Sequence, residues 1–310
     1  MKKVFLLFAL VCMATAANAQ FGVKRVAKYQ KGEKAVYHNV EKTVVQTQMG
    51  EQVISQSSTD QYVVTDATAN GYVIDITTVK VEADAPEGDI MSAITGAAAK
   101  MTEGLTIRVA TDADGRAIAI QNMDEVKQKA QANLKTQLDE LYAKNSQLEG
   151  VLQRDVFTAQ IMDRLTEEAL LSALHDSPDV MSLNGKTMMT GGIEQFTSEE
   201  GMKMKRLYVL SDKEGLMVKT TANLDMTTNE LKEFIIKQMA ESAPEQAEMI
   251  KQNIDALISS GALKMDVTQT ADYEFFANGW LNKLTTETKS EVMGQNSRKT
   301  KTMECIEHSW

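Results

Sequence analysis

The sequence predicts an α+β fold, an antiparallel β-sheet built from two related halves with amphipathic helices packed on one face. Apolar and polar residues alternate between Lys34 and Glu82 and again after Lys186, which is typical of strands with one buried face. Within 122–175 and 228–259, apolar residues instead recur every three or four positions, the spacing of a helix face. With 43% hydrophobic residues and 3 Pro in 310, the composition is that of an ordinary globular protein.

The N-terminal residues predict export. Met1–Lys3 is positively charged, Val4–Val11 is apolar, and Ala17–Ala19 forms an A-x-A cleavage site, so residues 1–19 are interpreted as a signal peptide with cleavage before Gln20. The apolar run is too short for a membrane-spanning helix, which needs about 20 residues. Lipid attachment at Cys12 is the alternative, but a valine precedes this cysteine where a small residue is usual. The mature chain is therefore expected to be periplasmic or secreted.

Charge and cysteine content exclude several classes of protein. The formal net charge is −10, and nucleic-acid binding is not expected because affinity for phosphates needs clustered cations. After the signal peptide, no apolar run approaches membrane-spanning length, so no transmembrane segment is expected in the mature chain. Cleavage leaves Cys305 as the single cysteine, so stability has to come from a packed core rather than from an intramolecular disulfide.

The first half of the mature chain predicts a run of strands. They are expected at 36–45, 53–57, 62–65 and 72–76. After Thr77 the apolar positions move by one residue, to Val79 and Val81, which predicts a β-bulge. Residues 88–104 predict a short helix over one face of the sheet. Asp112–Gly115, between two alternating runs, predicts a hairpin turn.

Helices follow this hairpin. Asn122, with Glu125 three residues later, has the spacing of a capping box and begins a helix whose apolar face extends to Leu141. A second helix is expected from about Arg154, with apolar residues as far as Leu174. Ser177–Pro178 is interpreted as an N-cap followed by proline at the first helical position.

The order of elements then partly repeats. Val109–Gly115 is similar to Val209–Gly215, and each copy precedes a short strand and a capped helix, with Thr227 and Glu230 forming the second capping box. Chance is the alternative, because hairpin turns favour Asp and Gly in any case. The larger repeated order favours two related halves, 20–176 and 177–310. Final strands are expected at 263–267, 273–275, 281–292 and 298–306.

No residue is assigned a catalytic, cofactor-binding or metal-binding role, and no cofactor is expected. His38, His175 and His308 do not have metal-ligand spacing, and no nucleotide-binding glycine motif occurs. Asp112–Gly115 departs from a calcium-binding loop because its glycine directly follows the second aspartate. Cys305 has no neighbouring histidine that would activate its thiol, so it is interpreted as structural or as a chance site for intermolecular disulfides.

The 19 methionines are the most unusual feature of the composition. Seven of them fall within 46 residues: Met181, Met188, Met189, Met202, Met204, Met217 and Met226. Three interpretations are open: filling of irregular gaps in a core, an adaptable apolar surface for a lipid or partner peptide, and a Cu(I) site at Met202 and Met204. With 2 Trp, Trp280 and Trp310, there is little aromatic surface for stacking sugars.

Four segments carry a resemblance to a known family: Lys31–Tyr37, Gln48–Gln52, Gly115–Asn122 and Gly279–Lys283. Together they resemble an uncharacterised family of exported envelope proteins from Gram-negative bacteria, a domain of unknown function. This resemblance implies a compartment and no chemistry. In shape, long antiparallel strands with packed helices are similar to periplasmic lipoprotein-carrier half-barrels, which is an analogy of fold alone.

These observations lead to three hypotheses. The first is a non-enzymatic exported protein that binds an apolar ligand, such as a lipid, or an envelope protein, in a pocket lined by Met and aliphatic side chains with few charges. The second is a hydrolase acting on envelope polymers or glycans, with two or three acidic residues converging in a cleft. The third is a structural envelope module whose interior is filled.

Overall fold

The computed structural model describes residues 22–47, 50–84, 90–144, 153–198, 201–212, 215–242, 244–259, 265–292 and 295–310. The proposed signal peptide, residues 1–19, lies outside these ranges. The strands are β1 (Gly22–Lys24), β2 (Lys34–Thr47), β3 (Gly50–Thr68), β4 (Gly71–Asp84), β5 (Thr106–Thr111), β6 (Ala117–Ile120), β7 (Thr187–Met189), β8 (Ile193–Thr197), β9 (Lys203–Ser211), β10 (Met217–Leu224), β11 (Met265–Phe275), β12 (Leu281–Val292) and β13 (Gln295–Ser309). The helices are α1 (Ile90–Lys100), α2 (Met123–Lys144), α3 (Arg154–Arg164), α4 (Glu167–Asp176), α5 (Thr228–Ser242) and α6 (Pro244–Ser259).

Most of the strands form one large antiparallel sheet. Its eleven strands have the order β6-β5-β4-β3-β2-β13-β12-β11-β10-β9-β8, and β1 pairs separately with β7. Strand β2 pairs with β13 at the centre, so the strands of 20–176 and 177–310 belong to the same sheet. The α+β class with an antiparallel sheet is confirmed. The division at residue 176 and the relation between the two halves stay predictions.

The two faces of this sheet differ in what covers them. Along β9 the buried side chains are those of Met204, Arg206, Tyr208 and Leu210, and the residues between them are exposed. We call this side the inner face and the opposite side the outer face. Several helices contact the inner face: α1 through Gly96, α4 through Leu170 and α5 through Phe234. The prediction that helices pack on one face of the sheet is therefore confirmed.

At one end the inner face is covered by two irregular segments, residues 25–33 and 177–186. They are tied to each other and to the sheet by backbone hydrogen bonds, such as Gly185 N to Arg25 O at 2.8 Å and Val64 N to Glu33 O at 2.9 Å. Beneath them lie several of the largest fully buried side chains of the described chain: Trp280, Tyr37, Ile74, Leu284 and Met303. We call this region the closed end.

Two expected strand boundaries are wrong for the same physical reason. The strands predicted at 53–57 and 62–65 are one strand, β3, and those predicted at 263–267 and 273–275 meet in one strand, β11, with residues 263–264 outside the described ranges. In both strands the polar stretch between the apolar runs lies where the inner face is open, so alternation of polarity is lost although strand pairing continues. The predicted bulge is confirmed: Thr59 pairs with Lys80 and Asp60 with Thr78, which leaves Val79 without a register partner.

The expected long helix from Arg154 is two helices. Thr166 separates α3 from α4, and its Oγ1 accepts a hydrogen bond from Ala169 N at 3.1 Å, which makes it the N-cap of α4. The interpretation of Ser177 as an N-cap is also wrong. Ser177 is the C-cap residue of α4 and has extended backbone geometry, which a following proline favours.

The two predicted capping boxes have different outcomes. At the start of α5, Thr227 Oγ1 accepts from Glu230 N at 3.3 Å and Glu230 Oε2 accepts from Thr227 N at 2.8 Å, so this box is confirmed. Asn122 instead uses its side chain to bind β5, with Oδ1 accepting from Arg108 N at 2.8 Å and Nδ2 donating to Thr106 O at 2.9 Å. Asn122 therefore attaches helix α2 to the sheet rather than capping its free N–H groups.

Candidate functional site

Beyond the closed end, the inner face carries two adjoining pockets. The acidic pocket, of about 280 Å³, is lined by Asn39, Glu41, Gln56, Ser57, Ser58, Asp60, Val81, Ala99, Thr102, Asp179, Lys301 and Met303. The methionine pocket, of about 240 Å³, is lined by Glu41, Asp176, Ser177, Pro178, Phe196, Ser198, Met202, Met204, Val267, Gln269, Thr286, Thr288, Lys299 and Lys301. Glu41 and Lys301 line both. We refer to the two pockets together as the groove.

Strand register and the bulge build the floor of the acidic pocket. Asn39 pairs with Ser58, and the bulge at Val79 places Thr78 opposite Asp60. Asn39 Nδ2 donates to Ser58 Oγ at 3.1 Å and also to Asp60 Oδ2. Ser58 Oγ donates to the same carboxylate oxygen at 3.0 Å. The Asp60 carboxylate is thus held by neighbouring donors on its own sheet.

Burial raises the pKa of Asp60 above its ordinary value, and the nearby Asp179 raises it further. Hydrogen bonds from Thr78 and Ser58, together with the charge of Lys301, act in the opposite direction without reversing the shift. A carboxyl group in this environment takes up a proton more readily than one at the surface.

Asp179 reaches the pocket from the covering segment 177–186. Tyr62 OH donates to Asp179 Oδ1 at 3.2 Å, and Val180 N donates to the same oxygen at 2.6 Å. Lys301 Nζ donates to Pro178 O at 3.2 Å and lies 3.6 Å from Asp179 Oδ2. Lys301 thus holds the covering segment against β13 at the boundary between the two pockets.

The methionine pocket has an apolar wall and a polar wall. Phe196, Met202, Met204 and Val267 form the apolar wall, and Phe234 of α5 packs against the cluster that contains Met202, Met204 and Val267. The polar wall comes from successive inner-face positions of neighbouring strands, with Gln269 Nε2 donating to Thr288 Oγ1 at 3.4 Å. Lys299 Nζ lies 3.0 Å from Glu41 Oε2. The expectation of a pocket lined by Met and aliphatic side chains with few charges therefore describes one wall and is wrong for the other.

A buried polar network stands beside the apolar wall. Arg206 is 3% exposed, and its Cζ lies 3.9 Å from the centroid of the Phe196 ring. Its Nη1 pairs with Glu194 Oε2 at 3.2 Å. Burial alone raises the pKa of Glu194, but hydrogen bonds from Lys186 and Tyr208 bring it below its ordinary value overall. This network fixes the Phe196 ring in place.

The methionines singled out in the sequence lie in different surroundings: Met189 is 43% exposed, whereas Met202 and Met204, at 8% and 3%, belong to a buried cluster beside the groove. The interpretation as an adaptable apolar surface stays a prediction. Met181 and Met188 are each 1% exposed and fill the closed end. Met202 and Met204 line the groove, and Met226 packs behind them. The neighbours of Met202 and Met204 include Ala222 and Val267, an apolar setting. The copper interpretation stays a prediction. Within the described ranges, no group of three or more His, Cys, Asp or Glu side chains is arranged to hold a metal ion.

The other candidate residues lie outside the groove. His175 Nε2 is 2.7 Å from Ala117 O, and its burial lowers its pKa. His308 stacks on Trp310 with 4.0 Å between ring centroids. Burial raises the pKa of the Cys305 thiol, which lowers its nucleophilic reactivity. Asp112 Oδ1 accepts from Asp114 N and Arg116 N, so Asp112–Gly115 is the predicted turn.

Sequence reasoning missed the residues of the acidic pocket: Asn39, Asp60, Asp179 and Lys301. One signal was available. The bulge predicted after Thr77 is this signal, because bulges are common where a sheet re-aims side chains at a functional site. Its position opposite Asp60 is known only from the strand pairing. No feature of the sequence indicated that Asp179, in the distant covering segment, reaches this pocket.

Comparisons with known proteins give distant likenesses to solved structures, two of which are described here. No protein-family model matches the chain, and no curated protein matches it. A lipovitellin structure, described by its lipid–protein interactions, aligns with 91% of this chain and 26% of its own chain, at 8% identity and a TM-score of 0.42. A domain from Vibrio parahaemolyticus assigned as an outer membrane lipoprotein-sorting protein aligns with 89% of this chain and 85% of its own, at 5% identity and a TM-score of 0.19.

This chain spans about a quarter of the lipovitellin chain, and at such TM-scores neither likeness carries an argument about function. The resemblance to an exported envelope family stays a prediction. Among the described helices, none is long and apolar enough to cross a membrane.

Proposed function

We propose that the protein is a non-enzymatic, exported binding protein that holds an amphiphilic ligand in the groove. The ligand's apolar part lies against Phe196, Met202 and Met204, and its polar part lies among the hydrogen-bonding side chains of the opposite wall. The single observation that supports this proposal is the presence of both walls in one pocket on the inner face.

On each wall of the pocket, one part of the ligand replaces water. Burying an alkyl chain stabilises a complex by roughly 25 cal/mol per Å² of apolar surface, and flexible thioethers adapt to chains of different shape. The side chains of the polar wall are hydrogen-bonding groups, so the polar end of a ligand finds hydrogen-bond partners there and is not buried against an apolar surface. The two pockets adjoin at Glu41 and Lys301, and together they reach the range of roughly 300–1,000 Å³ found for small-molecule sites.

Native mass spectrometry of the purified protein, with lipid extraction of the same sample, tests the proposal. An extra mass that is lost on denaturation and identified as an amphiphile is the expected result. The same spectrum reports the N-terminus, so a mature chain that begins elsewhere than Gln20 would contradict the proposed cleavage site.

A matched pair of variants locates the site. Thr288→Phe fills the groove from the inner face of β12, and Thr285→Phe adds the same ring at an exposed position on the outer face of the same strand. We expect Thr288→Phe to weaken binding of a fluorescent fatty-acid probe by about tenfold or more, because a filled pocket excludes the chain, and Thr285→Phe to leave it unchanged. Equal binding by both variants would place the ligand elsewhere.

A hydrolase is the second candidate, and one observation favours it. Asp60 and Asp179 line the same pocket, and the raised pKa of Asp60 is the property of a general acid. Release of soluble fragments from purified cell-wall polymer by the protein, and its loss in Asp60→Asn, would support this candidate. Absence of fragments with full amphiphile binding would exclude it.

A further inference from the structure

We propose that the polar end of the ligand held in the groove is an uncharged group that carries hydroxyls, as in a monoacylglycerol. This inference rests on the proposed function, since it assigns the chemistry of the same ligand. Two observations on the methionine pocket support it. The polar groups that remain free to bind a ligand are neutral, and the charged side chains around them already have partners.

Thr286 is the most enclosed polar side chain that lines the methionine pocket. It lies on β12 and is 7% exposed. Its Oγ1 has no hydrogen-bond partner among the described residues. The fully enclosed side-chain atoms of those residues that lack a partner lie elsewhere, so the Thr286 hydroxyl is reached from the pocket. A ligand that displaces water from this hydroxyl loses affinity unless it replaces the hydrogen bonds, which an alkyl chain cannot do.

The neighbours of Thr286 on the polar wall offer both kinds of hydrogen-bonding group. Thr288 is the next inner-face residue of β12 and pairs with Gln269 of β11. Thr288 Oγ1 accepts from Gln269 Nε2 at 3.4 Å, which leaves the Thr288 hydroxyl free to donate and Gln269 Oε1 free to accept. Donors and acceptors therefore stand side by side on this wall. A hydroxyl group matches them because it also donates and accepts, whereas an ester oxygen only accepts.

The charged side chains that line the methionine pocket are two carboxylates and two ammonium groups: Glu41, Asp176, Lys299 and Lys301. Lys299 Nζ lies 3.0 Å from Glu41 Oε2, and Lys301 Nζ lies 3.6 Å from Asp179 Oδ2. Asp176 Oδ2 accepts from Ser172 Oγ at 2.9 Å. A charged ligand end would have to take one of these groups from its partner. Burying a charge without a free counter-charge is costly, so the pocket favours a neutral end.

Isothermal titration calorimetry at neutral pH tests this inference with four probes of equal acyl or alkyl length: monolauroylglycerol, methyl laurate, lauric acid and dodecylamine. We expect monolauroylglycerol to bind about tenfold or more tightly than the acid and the amine, and several-fold more tightly than methyl laurate, which has no donor. Equal affinities for all four, or tighter binding of a charged probe, would overturn the hydroxyl assignment and leave the proposed function standing. No binding of any probe would contradict the proposed function itself.

Thr286→Val tests the hydroxyl directly, because valine has nearly the same shape and the hydroxyl has no partner in the described chain to lose. We expect the affinity for monolauroylglycerol to fall by about threefold to tenfold while the thermal stability is kept. Thr288→Val, at the next inner-face position, should give a similar loss. The control Thr285→Val, at an exposed position of the same strand, should change neither quantity. Unchanged affinity in both inner-face variants would overturn the inference.

A gain of binding, which misfolding cannot produce, is expected from freeing a cation. Glu41→Gln removes the charged partner of Lys299, so laurate should bind several-fold more tightly, whereas the affinity for monolauroylglycerol should change little. Unchanged laurate binding in this variant would show that pairing of the charged side chains does not exclude acids, and would overturn the preference for a neutral end.

Discussion

The closed end and the groove are consecutive parts of the same strands, and they differ within one pair of residues. At one level of the inner face, Leu284 and Tyr273 pair across β12 and β11, and both are buried. Two residues further along the strands, the corresponding pair is Thr286 and Ala271, and Lys301 stands beside them on β13. Backbone pairing continues unchanged through this transition.

The difference shows that the chain's own side chains fill the inner face at the closed end but not over the groove. At the closed end, Tyr29 from the covering segment stacks on Trp280 with 4.1 Å between ring centroids, and Trp280 Nε1 donates to the buried Glu33 at 2.9 Å. Over the groove, the described side chains leave two pockets. On three neighbouring strands the inner-face residues change from Tyr37, Leu284 and Met303 at the closed end to Asn39, Thr286 and Lys301 beside the groove. Such polar side chains need hydrogen-bond partners that an apolar core does not supply.

The largest effect is expected from breaking the closed end. Trp280→Ala removes a fully buried indole and leaves Glu33 buried without its donor, so the free energy of unfolding should fall by about 3–5 kcal/mol. Urea denaturation followed by circular dichroism measures this change. Ile118→Ala is the control, because Ile118 is 57% exposed, and it should cost under about 1 kcal/mol. Similar losses for both would mean that the closed end is not the main source of stability.

A second, smaller effect tests how the covering segment docks. Gly115 has φ of 85°, and a Cβ there would lie 2.4 Å from the Cβ of Ala27. Gly215, its counterpart in the partial repeat, has φ of 108°, but the nearest atom to its Cβ would be Phe275 O at an ordinary 3.4 Å. Both alanine variants carry backbone strain of about 1–3 kcal/mol, and Gly115→Ala should lose more because the covering segment must also move. Equal losses in thermal unfolding would show that this contact is unimportant.

The sequence predicted the closed end and the helix layer better than the groove. Alternation marked the ends of β3 and β11, where Tyr62 and Tyr273 are buried, and helical periodicity marked α2 through Leu134 and Leu138. These signals come from burial of apolar side chains, which local spacing reveals. In the groove this spacing fails as a signal, because polar residues occupy the inner-face positions where apolar residues would be expected.

The acidic pocket was out of reach for a further reason. Asn39, Asp60 and Asp179 come from two strands and a distant covering segment, and their meeting depends on strand register and on the path of residues 177–186. Neither follows from local spacing. The bulge after Thr77 was predictable from the one-residue shift of the apolar positions. The pairing of Thr78 with Asp60 that results from it could not be predicted without knowing the partner strand.

A third prediction concerns the helix behind the apolar wall. Thr227→Ala removes the capping box of α5 and should lower the free energy of unfolding by about 1 kcal/mol, since the first N–H groups of the helix lose their acceptor. The companion variant Asn122→Ala should disturb β5 instead, because Asn122 bonds Arg108 N and Thr106 O. Hydrogen exchange distinguishes the two: faster exchange is expected at the start of α5 for the first variant and in β5 for the second. Faster exchange in α2 alone for Asn122→Ala would restore the capping interpretation of this residue.

The smallest expected effect is a pH dependence of stability that arises in the groove. Burial raises the pKa of Asp60 in the folded protein above its unfolded value, so the folded state holds this proton more tightly than the unfolded chain does. The contribution of Asp60 is therefore fully present below the unfolded pKa and is lost as the pH rises through the folded pKa. The charges facing it are those of Asp179, which strengthens the shift, and Lys301, which weakens it.

Asp60→Asn isolates this contribution, because an amide does not titrate. We expect the stability of the unmodified protein relative to Asp60→Asn to decline from acidic to neutral pH, as measured by urea denaturation at each pH. A relative stability that rises with pH would mean that the donors Ser58, Thr78 and Asn39 outweigh burial. The acidic pocket would then be a completed hydrogen-bond network like that of the closed end.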